Sequence, residues 1–294
     1  MKKFWLWFLL LGGAAFVVLG MAVFALFGSP SIPLGGDLAL IEIEGPLYEA
    51  QPILKQFAKV YDRDDLKAVV IRVNSPGGTV AASQEIHDAV SRLREKSKKV
   101  VISMGTVAAS GGYYLAAPAD WIVANPGTIT GSIGVRLEYL NVEDILKWVR
   151  LKRETLKSGT YKDIGSPIRP MTPEEKGMLE AILKDMHAQF KEAVAAGRGL
   201  SAEEVEAIAD GRVFTGREAL RKKLVDQLGS LEAAYKKAGE LAGIKGEPKV
   251  VTVPKEKEGL LDYLLGDASS GLRQVLNRSL LQASAGGVLP VYQW

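Results

Sequence analysis

Two glycine pairs put serine hydroxyls beside bare backbone N–H groups: Asn74-Ser75-Pro76-Gly77-Gly78 and Ser110-Gly111-Gly112. Each follows a run with strand character, Ala68 to Val73 (AVVIRV) and Lys99 to Met104 (KVVISM). In open parallel α/β sheets the carboxyl ends of the strands carry the site, because helix N-termini and free N–H groups converge there. Ser110 at the start of a helix, beside such donors, has the geometry acyl transfer needs: a nucleophile next to the place where an oxyanion develops. Tight turns and serine N-caps use the same residues, so one such turn decides nothing. Two in consecutive units bring the chemical reading level with the structural one. Neither turn is a GxGxxG or GxxxxGK[ST] phosphate cradle.

A serine nucleophile needs a base. The chain has no cysteine, which removes thiol nucleophiles and thiolate metal or redox sites, and only two histidines, His87 and His187. Both lie inside helical patterns, away from the turns. A lysine can serve when neutral, which requires a fall in its pKa from about 10.4 to near 7 or 8, a destabilisation of the ammonium by about 4 kcal/mol. Most lysines here sit on charged helix faces. Lys162 lies instead among Ser158, Gly159, Thr160, Gly165, Ser166 and Pro167, in a long irregular stretch of the kind that carries function. The competing reading is that Asp163 beside it simply pairs with it.

The elements that must position these residues read as an α/β body. Strands are expected at Leu38–Ile43, 68–73, 99–104 and Trp121–Ala124, alternating with helices at 49–61, 80–94 and from about Ser110, which implies parallel βαβ crossovers. A Gly-spaced β segment follows at Thr128–Val135, then a helix near 142–149, a short strand at Lys152–Leu156 and a long amphipathic helix from Pro173 to about Ala196. Ser201 with Glu204 and Thr215 with Glu218 fit capping boxes. Val250–Val253 reads as a late strand, and Val288–Trp294 as a final one.

At the N-terminus, Phe4 to Phe27 is 24 residues without a charge, enough to span a hydrocarbon core of roughly 30 Å as a helix. Its length favours an anchor over a cleaved signal peptide, although Gly20-Met21-Ala22 loosely fits a cleavage site. Lys2 and Lys3 before it keep the N-terminus cytoplasmic and send the body across the membrane. The net charge of +3 falls to +1 without these two lysines, and the remaining charges are interspersed, so no nucleic-acid partner is expected. The domains expected are an anchor at 1–28, a linker at 29–36, a catalytic domain at 37–248 and a C-terminal extension at 249–294.

The motifs NSPGG (74–78), ASGGYYLA (109–116), GTITGSIGV (127–135), SGTYKDIGSP (158–167) and GRVFTGREALRKKLVDQLG (211–229) occur in this order, and with them the chain resembles the signal peptide peptidase A family in its short, single-repeat bacterial form. The resemblance implies a ClpP/crotonase-like fold of repeated β-β-α and βαβ units and a Ser/Lys dyad of Ser110 as nucleophile and Lys162 as base. It further implies an oxyanion hole from the N–H of Gly77 with that of Gly111, and Ser132 as the hydroxyl that holds the lysine. Two strand edges, Gly78, Thr79, Val80 and Ile129, Thr130, Gly131, Ile133, would pin an extended peptide between them. It also implies an oligomer whose protomers share sites, signal peptides and unfolded peptides as substrates, a bacterial membrane location, and no metal or organic cofactor. The tail Val288–Trp294, apolar and extended, is a candidate inhibitor in a neighbouring protomer's groove. A catalytically silent membrane scaffold of the same fold and an acyl-CoA enzyme are the competing readings.

Overall fold

The computed structural model describes residues 35–255 and 291–292. The expected anchor and most of the C-terminal extension lie outside them, and among the described residues no helix is long and apolar enough to cross a membrane. The body begins with β1 (Leu38–Glu44), α1 (Gln51–Tyr61), β2 (Ala68–Ser75), the two-residue β3 (Gly78–Thr79), α2 (Val80–Glu95) and β4 (Lys99–Ala109). β1, β2 and β4 are parallel neighbours, and β9 (Val250–Thr252) extends the sheet beyond β1. The unbroken apolar run of β2 explains its central place: Ala68, Val69, Val70, Ile71 and Val73 are all fully buried, so both faces of the strand are covered. On one face Ala234 and Ala238 of α8 (Leu231–Leu241) pack on Leu38, Leu40, Ala68, Val70, Val101 and Val123.

β4 is where the sheet divides. Val101–Met104 pair with β5 (Trp121–Ala124), whereas Val107–Ala109 pair with β6 (Ile129–Gly131). The strand runs longer than expected because Asn74 supports its second half. The Asn74 Oδ1 accepts the Val107 N–H at 3.2 Å, at a register shift between β2 and β4. A Cβ on Gly105 would come within 2.9 Å of the Asn74 side chain, so glycine is what lets the two strands close there. β7 (Val213–Thr215) joins β6 antiparallel and β8 (Gln227–Leu228) joins β5 parallel, making the sheet mixed.

The remaining helices are α3 (Gly111–Tyr114), α4 (Glu143–Trp148), α5 (Pro173–Arg198), α6 (Ala202–Glu206) and α7 (Gly216–Arg221). Both expected capping boxes form, at Ser201/Glu204 and Thr215/Glu218, and a third joins Thr172 and Glu175 at the start of α5. The helix expected from Ser110 is a single turn, since two glycines are poor helix formers and Pro118 stops the continuation. The strand expected at Lys152–Leu156 is irregular chain: its side chains are exposed and it pairs with no strand among the described residues. At the end of the chain, β10 (Val291–Tyr292) pairs antiparallel with Thr79 and Gly78 of β3, a short final strand as expected.

Candidate active site

Ser110 stands at the carboxyl end of β4 with φ 55° and ψ −121°, a region that residues with a side chain rarely occupy. The surroundings hold it there. Its N–H donates to the Gly131 carbonyl at 2.8 Å, and its carbonyl accepts the N–H groups of Tyr113 and Tyr114 at 2.9 and 2.8 Å. The residue is fully buried, and its Oγ has no hydrogen-bond partner among the described residues. A buried hydroxyl without a partner costs about 1–3 kcal/mol, so Ser110 Oγ contributes nothing to stability in this arrangement.

The two Gly-Gly turns nest into each other. A Cβ on Gly111 would fall 2.2 Å from Ser83 Oγ and 3.2 Å from the Gly78 nitrogen, and one on Gly112 would fall 2.8 Å from the Ser75 carbonyl. One on Gly78 would fall 2.1 Å from the Leu47 carbonyl. These glycines therefore serve close backbone approach, with Gly77 (φ 97°) alone of the four in the left-handed region. The Gly77 N–H donates to Ser75 Oγ at 3.1 Å, so this expected oxyanion donor is engaged within its own turn. Gly111 is the first residue of α3, where an N–H has no acceptor within the helix.

Ser132 is nearly buried with φ 51°, and its N–H donates to the Arg212 carbonyl at 2.9 Å. It lines a cavity of about 230 Å³ together with Gly134, Arg136, His187 and Asp210. His187, which the sequence places inside a helix away from the turns, thus borders the same cavity as Ser132, and its Nε2 is buried without a partner among the described residues. His87 lies against the Asp88 carboxylate and the Tyr114 ring. Of the two expected peptide edges, Ile129–Gly131 needs correction: β4 and β7 already pair with it on either side, so it is interior sheet, with Thr130 and Ile133 fully buried. On the other, Val80 opens α2, and Gly78–Thr79 bridges Leu47 on one side while β10 adds on the other.

Lys162 is exposed and makes no hydrogen bond with Ser110 Oγ. It sits in a succession of tight turns, with Lys162 N–H on the Gly159 carbonyl, Ile164 N–H on that of Tyr161 and Ser166 N–H on that of Asp163. Its Cγ lies 3.3 Å from where a Gly159 Cβ would be, so the lysine stem runs close over that glycine. Asp163 does not pair with it. Lys157 Nζ donates to Asp163 Oδ1 at 2.6 Å and Arg169 Nε to Oδ2 at 2.9 Å, and Arg169 also grips Glu175 through Nη1 and Nη2 at 2.8 and 2.5 Å. The hydrogen bonds from Arg169 and then Lys157 hold the Asp163 carboxyl well below the usual range, and those from Arg169 and the Thr172 N–H hold Glu175 down at about 2. The Arg169 guanidinium is pushed up by the same carboxylates, Glu175 first. Sequence reading missed this group, although Thr172 three residues before Glu175 is a capping-box signal like the two it used.

The profile of peptidase family S49 matches residues 92–245, and that of the Clp proteases matches residues 41–122. A Synechocystis sp. protein named as a candidate protease is 42% identical over 234 residues, covering 79% of this chain and 84% of its own length. Protease 4 of Salmonella typhi is 40% identical over 215 residues, covering 73% of this chain and 34% of its own. An Enterococcus faecium protein named for signal peptide peptidase is 35% identical over 187 residues, covering 64% of this chain and 54% of its own. The α/β body with its serine at the carboxyl end of a central parallel strand and this sequence likeness lead to one conclusion: the chain belongs to peptidase family S49, a serine protease family, and has a ClpP-like α/β fold.

Proposed function

We propose that this chain is a membrane-anchored endopeptidase that cleaves signal peptides and other unfolded apolar peptides with a Ser110/Lys162 dyad. Neutral Lys162 Nζ takes the Ser110 hydroxyl proton as Oγ bonds to the scissile carbonyl carbon. The carbonyl oxygen becomes an oxyanion facing the Gly111 N–H, the lysine ammonium gives its proton to the leaving amine as the C–N bond breaks, and water then hydrolyses the acyl-enzyme by the same route. The observation that carries this reading is a fully buried, conformationally strained Ser110 whose Oγ has no partner among the described residues, in a chain whose Lys162 has its neighbouring carboxylate bound elsewhere.

Within one chain the nucleophile is buried and the base exposed, which favours a site completed by a neighbouring protomer. Covering Lys162 would also supply the desolvation that a neutral lysine requires. The segment between β6 and α5 supports assembly: α4 has no buried residue, and Leu140, Trp148 and Leu156 expose their apolar side chains. The pairing of β10 with Gly78–Thr79 supports β3 as the edge to which a peptide adds. Anchoring, with the N-terminus cytoplasmic and the body extracytoplasmic, rests on Phe4–Phe27 and the lysines before it.

Subunit complementation tests the mechanism. Ser110→Ala and Lys162→Ala are each expected to be inactive, and co-assembled to regain activity if protomers share sites. Full activity in either single variant overturns the dyad. The rate of the unmodified enzyme is expected to rise into alkaline pH as Lys162 deprotonates, and a rate flat from about pH 6 to about pH 10 would remove that support.

A further inference from the structure

We infer that Arg169 and Asp163 are positioning residues for Lys162: together they divert the one adjacent carboxylate from the lysine and bolt its loop to α5. The inference rests on the reading of Lys162 as the base. Two flanks of the lysine are tied to the first turn of the same helix. The Tyr161 hydroxyl donates to Glu174 Oε1 at 2.5 Å, and Arg169 bridges Asp163 to Glu175, which is only 3% exposed and itself caps α5 through the Thr172 N–H at 2.9 Å. Arg169 Nη2 also donates to the Asp163 main-chain carbonyl at 3.2 Å, fixing backbone as well as side chain next to Lys162. A planar guanidinium that grips two carboxylates and a carbonyl is a rigid joint of a kind lysine cannot make.

The electrostatic consequence follows from where the charges end up. Asp163, next in sequence to Lys162, has both oxygens occupied by Lys157 and Arg169. Glu175 is occupied by Arg169 and the helix cap, and Glu174 by Tyr161. On the side of α4, joined to the loop by the Val142 N–H on the Pro167 carbonyl, Glu143 and Asp144 are both paired with Lys147. The carboxylate next to Lys162 in sequence is thus met by the cations Lys157 and Arg169 and not by the lysine.

Arg169 and Asp163 therefore act on the base in opposite directions, and the alkaline-rising limb of kcat/KM reads it. Arg169→Gln removes a cation and releases two carboxylates, so the limb is expected to move to higher pH by about half a unit to one unit. Asp163→Asn is isosteric and leaves Arg169 without that carboxylate, so the limb is expected to move to lower pH. Joining the two changes should return it close to its original position, while Arg169→Lys keeps the charge and should keep the limb but lower kcat. If Arg169→Gln does not fold, the direction for Asp163→Asn alone still decides. Limbs that coincide in folded variants, with Lys162→Ala inactive, overturn this inference and leave the dyad standing; an active Lys162→Ala overturns the dyad instead.

Discussion

If Ser110 is held at φ 55° and ψ −121° for the sake of its hydroxyl, the chain should become more stable when the position is given to glycine and less active at the same time. The comparison that isolates strain is Ser110→Ala against Ser110→Gly, because both lack the hydroxyl and only glycine occupies this region freely. Strain at such a position costs about 1–3 kcal/mol. The greater freedom of glycine in the unfolded chain takes back about 0.4–1 kcal/mol. The glycine variant should then exceed the alanine variant by about 1–2 kcal/mol, which for a chain of this size is about 2–6 °C in melting temperature. Thermal or denaturant melting of the full-length chain in detergent measures it, with peptidase activity expected to vanish in both. The Ser110→Ala step carries separate information: removing a buried hydroxyl without a partner stabilises, whereas a hydroxyl met by a neighbouring protomer's lysine makes that step neutral or worse. A glycine variant no more stable than the alanine variant refutes the strain argument.

Two other outcomes follow from contacts already described. Removing Val288–Trp294 frees the side of β3 that β10 occupies, so peptidase activity should rise with assembly intact; unchanged activity in an intact oligomer argues against a tail that competes with substrate. Glu175 has its carboxyl lowered from 4.5 to about 2, so its contribution to the fold is complete above about pH 4.5 and is lost as pH falls towards 2. Limited proteolysis should then open the Ser158–Pro167 loop between those values in the unmodified chain. A Glu175→Gln variant, whose side chain does not titrate, should be open at every pH, and an identical pH profile for the two would refute the assignment.

Legibility in the sequence followed the range of the interactions. β2 and the first half of β4 were readable because burial on both faces demands an unbroken apolar run, and the capping boxes because their partners are three residues apart. Ser110 and Lys162 could be singled out by local type and setting. What could not be read depends on distant partners. Gly105 looks like a strand end until Asn74 is packed against it, and Ile129–Gly131 looks like an open edge until β7 returns to cover it. Asp163 looked like the partner of Lys162 because adjacency in sequence was the only information there; its true partners, Lys157 and Arg169, are brought in by turns with no periodic pattern.

The division of β4 between two neighbours has a consequence for motion. Ala108 and Ala109, the residues just before Ser110, both pair with β6, Ala108 also pairs with β2, and both are fully buried, so their amide protons are expected to be among the last to exchange with solvent. Lys162 stands on turns whose backbone amides lie near the surface and exchange through small local openings. On the proposed dyad, the serine would then be the fixed reference and the lysine's turns the part free to adjust.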